Sequence, residues 1–268
     1  MPPPESLFEP VEGGWIPTDY SRGPWTPHAL HGGPVAALLA GEAERRGDED
    51  NDIAWLPARL SIELLRPVPV SPLRVDASVY RPGRKVQLVD AALRTPEGNE
   101  VATARLLRVR EEHIPAPVTT GDQRPPVHPD TLAATPTLGR HEYDAFHSHG
   151  VEHRFAVGTF EQLGPASDWI RLRVPVVPGA APTPLQRVAA AADFGNGVSR
   201  VADFTELTFI NPDLTIHLHR PPAGEWVCIE AQTWMEERGL ALAESRLWDT
   251  IGPLGRSCQS LLIDRRPS

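Results

Sequence analysis

Sliding the chain along itself by 154 residues lays positions 60–110 over 214–264 without a gap. A chain that repeats in this way folds as two copies of one plan. LSIELLRP at 60–67 falls on LTIHLHRP at 214–221, so Leu60, Ile62, Leu64, Arg66 and Pro67 recur as Leu214, Ile216, Leu218, Arg220 and Pro221. Further along, Ala77, Arg84, Leu88, Leu93, Gly98 and Leu107 meet Ala231, Arg238, Leu242, Leu247, Gly252 and Leu261. These are eleven identities in 51 columns, and mismatches such as Ser61/Thr215, Val75/Ile229, Asp76/Glu230 and Tyr80/Trp234 are conservative.

Within each copy the pattern is that of antiparallel strands. LSIEL and LTIHL alternate apolar and polar residues, the period of a half-buried strand. RVDASVY and VCIEAQTW follow, then QLVDAALRT and ALAESRLWD, then VATARLLRV and RSCQSLLID. Turn sequences PEGN at 96–99 and TIGP at 250–253 join the last two as hairpins. One helix precedes each set, over 34–45 and 184–193, and Pro34 and Pro184 suit a first helical turn because no N–H is needed there. Trp- and Gly-rich segments upstream supply the opening strands. Each half therefore reads as strand, helix and several antiparallel strands, an α+β plan. Thirty prolines exclude a helical bundle. Their densest run, Pro115 to Pro136, reads as an extended connector. The expected organisation is a unit over 1–112, a connector over 113–140 and a second unit over 141–268.

Hydrophobic content of 40% and charged content of 23% suit a soluble globular chain. A formal charge of −9 argues against a nucleic-acid partner, which demands a basic face. The N-terminus lacks the basic and apolar regions of a signal peptide, and no apolar run approaches the ~18–20 residues that cross a bilayer. Cys228 and Cys258 have no metal-type spacing, so the expectation is a cytoplasmic protein with no membrane segment and no metal. His141, His147, His149 and His153 crowd one segment without the carboxylate or Cys partners that would close a metal site. GNGVSR at 195–200 fails as a dinucleotide loop because it lacks the last glycine and follows a helix. With no G-x-S-x-G elbow, a serine-hydrolase route is excluded.

One helix wrapped by a long antiparallel sheet, twice in one chain, resembles the double hotdog acyl-CoA thioesterases, and more closely their thioesterase II (TesB-like) group. The motifs lie mainly in the second half. PDLTIHLHRP places Asp213 where the family has an Asp before a strand ending in His-Arg-Pro. EWVCIEAQTWMEERG supplies Trp226, Thr233 and Arg238-Gly239, and GRSCQSLLI supplies the last-strand Gln259. The resemblance implies acyl-CoA hydrolysis in fatty acid metabolism without a cofactor. On that pattern Asp213 draws a proton from a water that Thr233 and Gln259 orient. It also implies a homo-oligomer, since hotdog sheets often associate edge to edge.

The residues can be read beside the family. Thr233 continues the apolar row of Val227, Ile229 and Ala231, and Gln259 shares a face with Leu261 and Ile263. A polar residue in such a row must find partners once buried, whether or not it is catalytic. Asp213 lies on the parity of Thr215 and His217, not of Leu214 and Ile216. Subtracting 154 turns Asp213, Thr233 and Gln259 into Arg59, Val79 and Arg105, so the first copy lacks their chemistry. That copy carries His31-Gly32-Gly33 before Pro34, whose exposed amides at a helix start can bind substrate oxygen. The expected site is thus composite. Two rivals stand beside hydrolysis: a non-catalytic acyl-CoA or acyl-carrier binding protein, and a hotdog hydratase or dehydratase.

Overall fold

The computed structural model describes residues 2–48, 53–115, 126–136 and 143–266. Ten strands follow one another across a single mostly continuous sheet, in the order β4-β5-β6-β3-β10-β13-β12-β11-β8-β7, with β9 alongside β13. The first half supplies β3 (Trp55–Leu64), β4 (Arg74–Arg81), β5 (Val86–Arg94) and β6 (Glu100–Arg110). The second supplies β7 (Val151–Val157), β8 (Ala166–Leu172), β9 (Leu207–Ile210), β10 (Asp213–Leu218), β11 (Val227–Met235), β12 (Leu240–Trp248) and β13 (Pro253–Arg265). A separate hairpin, β1 (Phe8–Val11) and β2 (Gly14–Pro17), touches β4's approach through Trp15 and Leu73. The α+β double hotdog expected from the sequence is what forms.

The repeat explains the strand order. β3 and β10 pair antiparallel, with Leu60 opposite Ile216, Ile62 opposite Leu214 and Ser61 opposite Thr215. Ser61 and Thr215 occupy the same column of the repeat, so an approximate twofold axis passes between them. Outward from that axis each half repeats the series: β6, β5, β4 on one side and β13, β12, β11 on the other. The copies differ where β3 runs unbroken and its counterpart is split into β9 and β10 at Asn211-Pro212. Proline has no N–H for a ladder, which makes the break.

Two helices cross the inner face. α1 (Gly32–Asp48) and α2 (Pro184–Ala192) run antiparallel: Gly32 at the start of α1 meets Asp193 after α2, while Thr183 before α2 meets Glu44 late in α1. Their contact is made of small residues, Ala36, Ala37, Ala40 and Ala43 against Ala189 to Ala192, all nearly inaccessible. Gly41 lets the Gln186 side chain cross over and donate from Nε2 to the Ala37 carbonyl at 3.2 Å. The capping box of Thr183 and Gln186 fixes where α2 begins. The inner rows of the sheet, including Leu60, Ile62, Val89, Leu93, Leu106, Leu214, Ile216 and Ile229, close over the helices. Each such side chain contributes about 1.5–3 kcal/mol by leaving water. None of the described helices is long and apolar enough to cross a membrane.

The described part of the expected connector is not a free tether. Val127 and Leu132 lie against the outer face of the second half, where Trp169, Trp226, Cys228 and Trp248 cluster. The Trp169 Nε1 donates to the Val127 carbonyl at 2.8 Å. A row of large aromatics outside the sheet needs covering, and this proline-rich segment covers it.

Gly255 sits where β13 presses against β10, and a Cβ there would strike the His217 carbonyl. Gly255→Ala should cost about 2–4 kcal/mol, as expected for a steric clash between central strands. Urea denaturation would register it as a lower midpoint with an unchanged slope.

Candidate active site

The antiparallel helices bring the end of α2 against the start of α1, and Asp193 is the residue placed there. It caps α2, is 5% exposed, and gathers donors from three segments of the chain. The His31 Nδ1 lies 2.8 Å from its Oδ2. Asn211 donates from Nδ2 to Oδ1 at 2.9 Å, and the Gln259 Nε2 lies 3.3 Å from the same oxygen and 3.2 Å from the Asp193 carbonyl. The Gly33 N–H also faces the carboxylate. Burial by itself would raise this acid. The bonds from His31, its charge when protonated, and the Asn211 and Gly33 donors outweigh that and hold the carboxyl below its ordinary value. Asp193 is therefore ionised at neutral pH.

The two glycines are what permit the approach. A Cβ on Gly32 would lie 2.6–2.8 Å from the Asp193 carboxylate. One on Gly33 would lie 2.7 Å from both the Ala190 carbonyl and the Phe146 ring. His31 is wedged between Phe146 and Phe194, with ring centroids 5.2 and 4.7 Å away. Its Nδ1 faces both Asp193 and the Gly33 N–H, which lies 3.1 Å from it. Its Nε2 has no partner among the described residues, and the side chain keeps 10% exposure.

Of the residues singled out in the sequence, the structure gathers His31, Gly32, Gly33 and Gln259 around Asp193. Thr233 is close by: Thr233, Ala243 and Gln259 stand side by side in one row across β11, β12 and β13, on the inner face. Small Ala243 leaves room there for the short helix α3 (Gly195–Val198). Gln259 accepts the Asn196 N–H on Oε1 at 3.1 Å, which fixes the orientation of its amide. Ser199 donates to the Gly195 carbonyl at 2.8 Å, so in its 2.8 Å bond with Ser199 the Thr233 hydroxyl is the donor. Thr233 and Gln259 thus anchor the α3 turn that follows Asp193.

Asp213, the base that the resemblance implies, is not part of this assembly. It belongs to the outer row of β10 with Thr215 and His217, whereas Leu214 and Ile216 point inward. Its Oδ1 accepts the Ser260 N–H at 2.6 Å on the exposed side of the sheet. Strand parity puts Asp213 and Gln259 on opposite faces. Sequence reasoning missed Asp193, Asn211 and Ser199. The signals are an acid ending an alanine-rich helix and the polar GNGVS turn that follows it.

Other histidines do different work. His153 is 4% exposed, with Nδ1 2.5 Å from Asp168 Oδ2 and Nε2 3.1 Å from the His147 carbonyl. Its ring lies edge-on to Phe194 at 4.9 Å. His149 stacks on Tyr20 and lies 3.3 Å from Asp144. His141 lies outside the described residues.

Residues 21–109 match the family described as acyl-CoA thioesterase N-terminal domain, and residues 122–263 the acyl-CoA thioesterase C-terminal domain. No curated protein matches the chain significantly. Among solved structures, a candidate thioesterase II from Thermobifida fusca YX superposes with a TM-score of 0.73 at 18% identity, covering 97% of this chain and 96% of that one. A candidate thioesterase from Novosphingobium aromaticivorans DSM 12444 gives 0.72 at 22% identity over 96% and 98%. A hot dog fold protein from Alicyclobacillus acidocaldarius gives 0.69 at 15% over 97% and 96%. These likenesses show the fold.

Because the folded state holds Asp193 at a lowered pKa, its share of stability is complete above about pH 4 and fades as pH falls through the lowered value. Asp193→Asn should remove that acid-side dependence. It should also cost about 1–3 kcal/mol near neutrality, through buried donors left poorly matched. Denaturation midpoints of both proteins between pH 2.5 and 7 check this.

Proposed function

The chain belongs to the acyl-CoA thioesterase family, is a thioester hydrolase on that ground, and from that premise we propose that it hydrolyses acyl-CoA with His31 and Asp193 as its working pair. The observation that carries the proposal is the Asp193–His31 contact at the N-terminus of α1. A carboxylate already met by several donors has little remaining appetite for a proton. Its use is to hold His31 with Nδ1 inward and Nε2 outward, as an orienting acid does for a catalytic histidine. Imidazole is the side chain suited to proton transfer near neutral pH.

In this reading a water at His31 Nε2 attacks the thioester carbon and His31 receives its proton. The C–S bond then breaks, the proton passes to the leaving thiolate, and free CoA and a carboxylic acid depart. Charge developing on the carbonyl oxygen is met by the positive N-terminal end of the α1 dipole. Gln259 and Asn211 keep the Asp193 carboxylate in place. Thr233 acts one step further back, through Ser199 and the α3 turn.

Thiol release from acyl-CoAs of several chain lengths tests this. His31→Ala and Asp193→Asn should each lower kcat/KM by about 10²–10⁴-fold, and the double variant should lose little more than the worse single, as coupled groups do. Asp213→Asn should stay within about threefold of wild type, since exposed substitutions are usually mild. A large loss in Asp213→Asn with His31→Ala unharmed would return the catalytic role to Asp213. Absence of thiol release from wild type at every chain length would leave a non-catalytic acyl-CoA binder.

A further inference from the structure

The approximate twofold axis gives the helix pair a second end. There the start of α2 meets the last turns of α1, and Glu44 stands within one helical position of the counterpart of Asp193, counting from Pro34 and Pro184. Thr183 donates from Oγ1 to Glu44 Oε2 at 2.6 Å. Beside them is a cavity of about 450 Å³ walled by Glu44, Asp48, Trp55, Arg108, Thr183 and Pro184. Arg108 is 3% exposed. It donates to Gln87 Oε1 from Nε at 3.0 Å and Nη2 at 2.7 Å, and its guanidinium lies 5.3 Å from the Trp55 ring centroid.

The remaining face of that guanidinium shows what it accepts. Nη1 donates to Asp48 Oδ1 at 2.5 Å, yet the Asp48 side chain is 64% exposed. A solvent-side carboxylate thus takes the Nη1 position of a buried arginine whose Nε and Nη2 are held by Gln87, and charged N–H groups favour carboxylates. Asp48, at 64% exposure, has water to turn into if another carboxylate takes its place.

We propose that this cavity is a second ligand site that takes a small carboxylic acid, its carboxylate on Arg108 in the place Asp48 holds and its carbon chain against Trp55 and Pro184. Glu44 makes the site sensitive to pH. Burial raises its carboxyl from 4.5 to about 7; the Thr183 hydroxyl lowers it, the Asp48 carboxylate raises it and Arg108 lowers it. Below that value Glu44 is a neutral acid that can donate to an incoming carboxylate; above it, Glu44 is a second negative charge facing the same ligand. Binding therefore weakens as pH rises through 7. The site is separate from the His31–Asp193 pair, and its test needs no thioester.

Isothermal titration of the full chain with sodium hexanoate decides the matter. Wild type should bind at pH 6 and about tenfold or more weakly at pH 8.5, as follows from loss of the Glu44 proton. Asp48→Ala, a change at an exposed position, should tighten binding by freeing Arg108 Nη1. Glu44→Gln should bind with little difference between the two pH values. His31→Ala should bind as wild type does. No binding at pH 6, indifference to both Asp48→Ala and Glu44→Gln, or loss of binding in His31→Ala would each overturn the proposal.

Discussion

The hydrogen bonds joining β3 to β10 around Ser61 and Thr215 make one sheet from two repeats. That pairing is antiparallel between equivalent strands, so it imposes a twofold relation on everything carried with them. The helices must then run in opposite directions across the inner face, each start lying against the other's end. A helix start offers unpaired N–H groups and positive potential, and in this arrangement each receives an acid from the other half. The alanine-rich contact between α1 and α2 lets the backbones approach closely enough for those acids to arrive. Composite ends are thus a consequence of the duplication.

The two ends have been given different electrostatics, with Asp193 buried and Glu44 half-buried. Asp193 is surrounded by His31, Asn211, Gln259 and the Gly33 amide, and donors outweigh desolvation. Glu44 has one hydroxyl donor and a neighbouring Asp48, and desolvation prevails. One acid is fixed as a carboxylate that can orient an imidazole. The other changes charge near neutrality. Desolvation is common to both, so the count and charge of donors decides which behaviour results.

Much of the fold was legible because its signals are local. Strand alternation has a period of two and survives in both copies, so β3 to β6 and β10 to β13 stand out at one fixed offset. The expected helices over 34–45 and 184–193 became Gly32–Asp48 and Pro184–Ala192; Pro184 starts the second, while the first begins at the glycines before Pro34. Gln259 and Thr233 were visible as polar interruptions of apolar rows. The site's centre was not legible, since Asp193 meets His31 across 162 residues of chain and no local period reports a contact of that range. Parity already placed Asp213 with Thr215 and His217. A motif carries no sense of which face a side chain takes, and the structure follows the parity.

The most direct measurement of the central claim is a crystal structure of the chain with a non-hydrolysable acyl-CoA analogue. Reacting atoms held for attack lie about 3–3.5 Å apart. The complex should leave room for one water between His31 Nε2 and the thioester-equivalent carbon, with the carbonyl oxygen directed at the N-terminal end of α1. An analogue bound with its carbonyl on the outer face beside Asp213 and Ser260, away from His31, would contradict it.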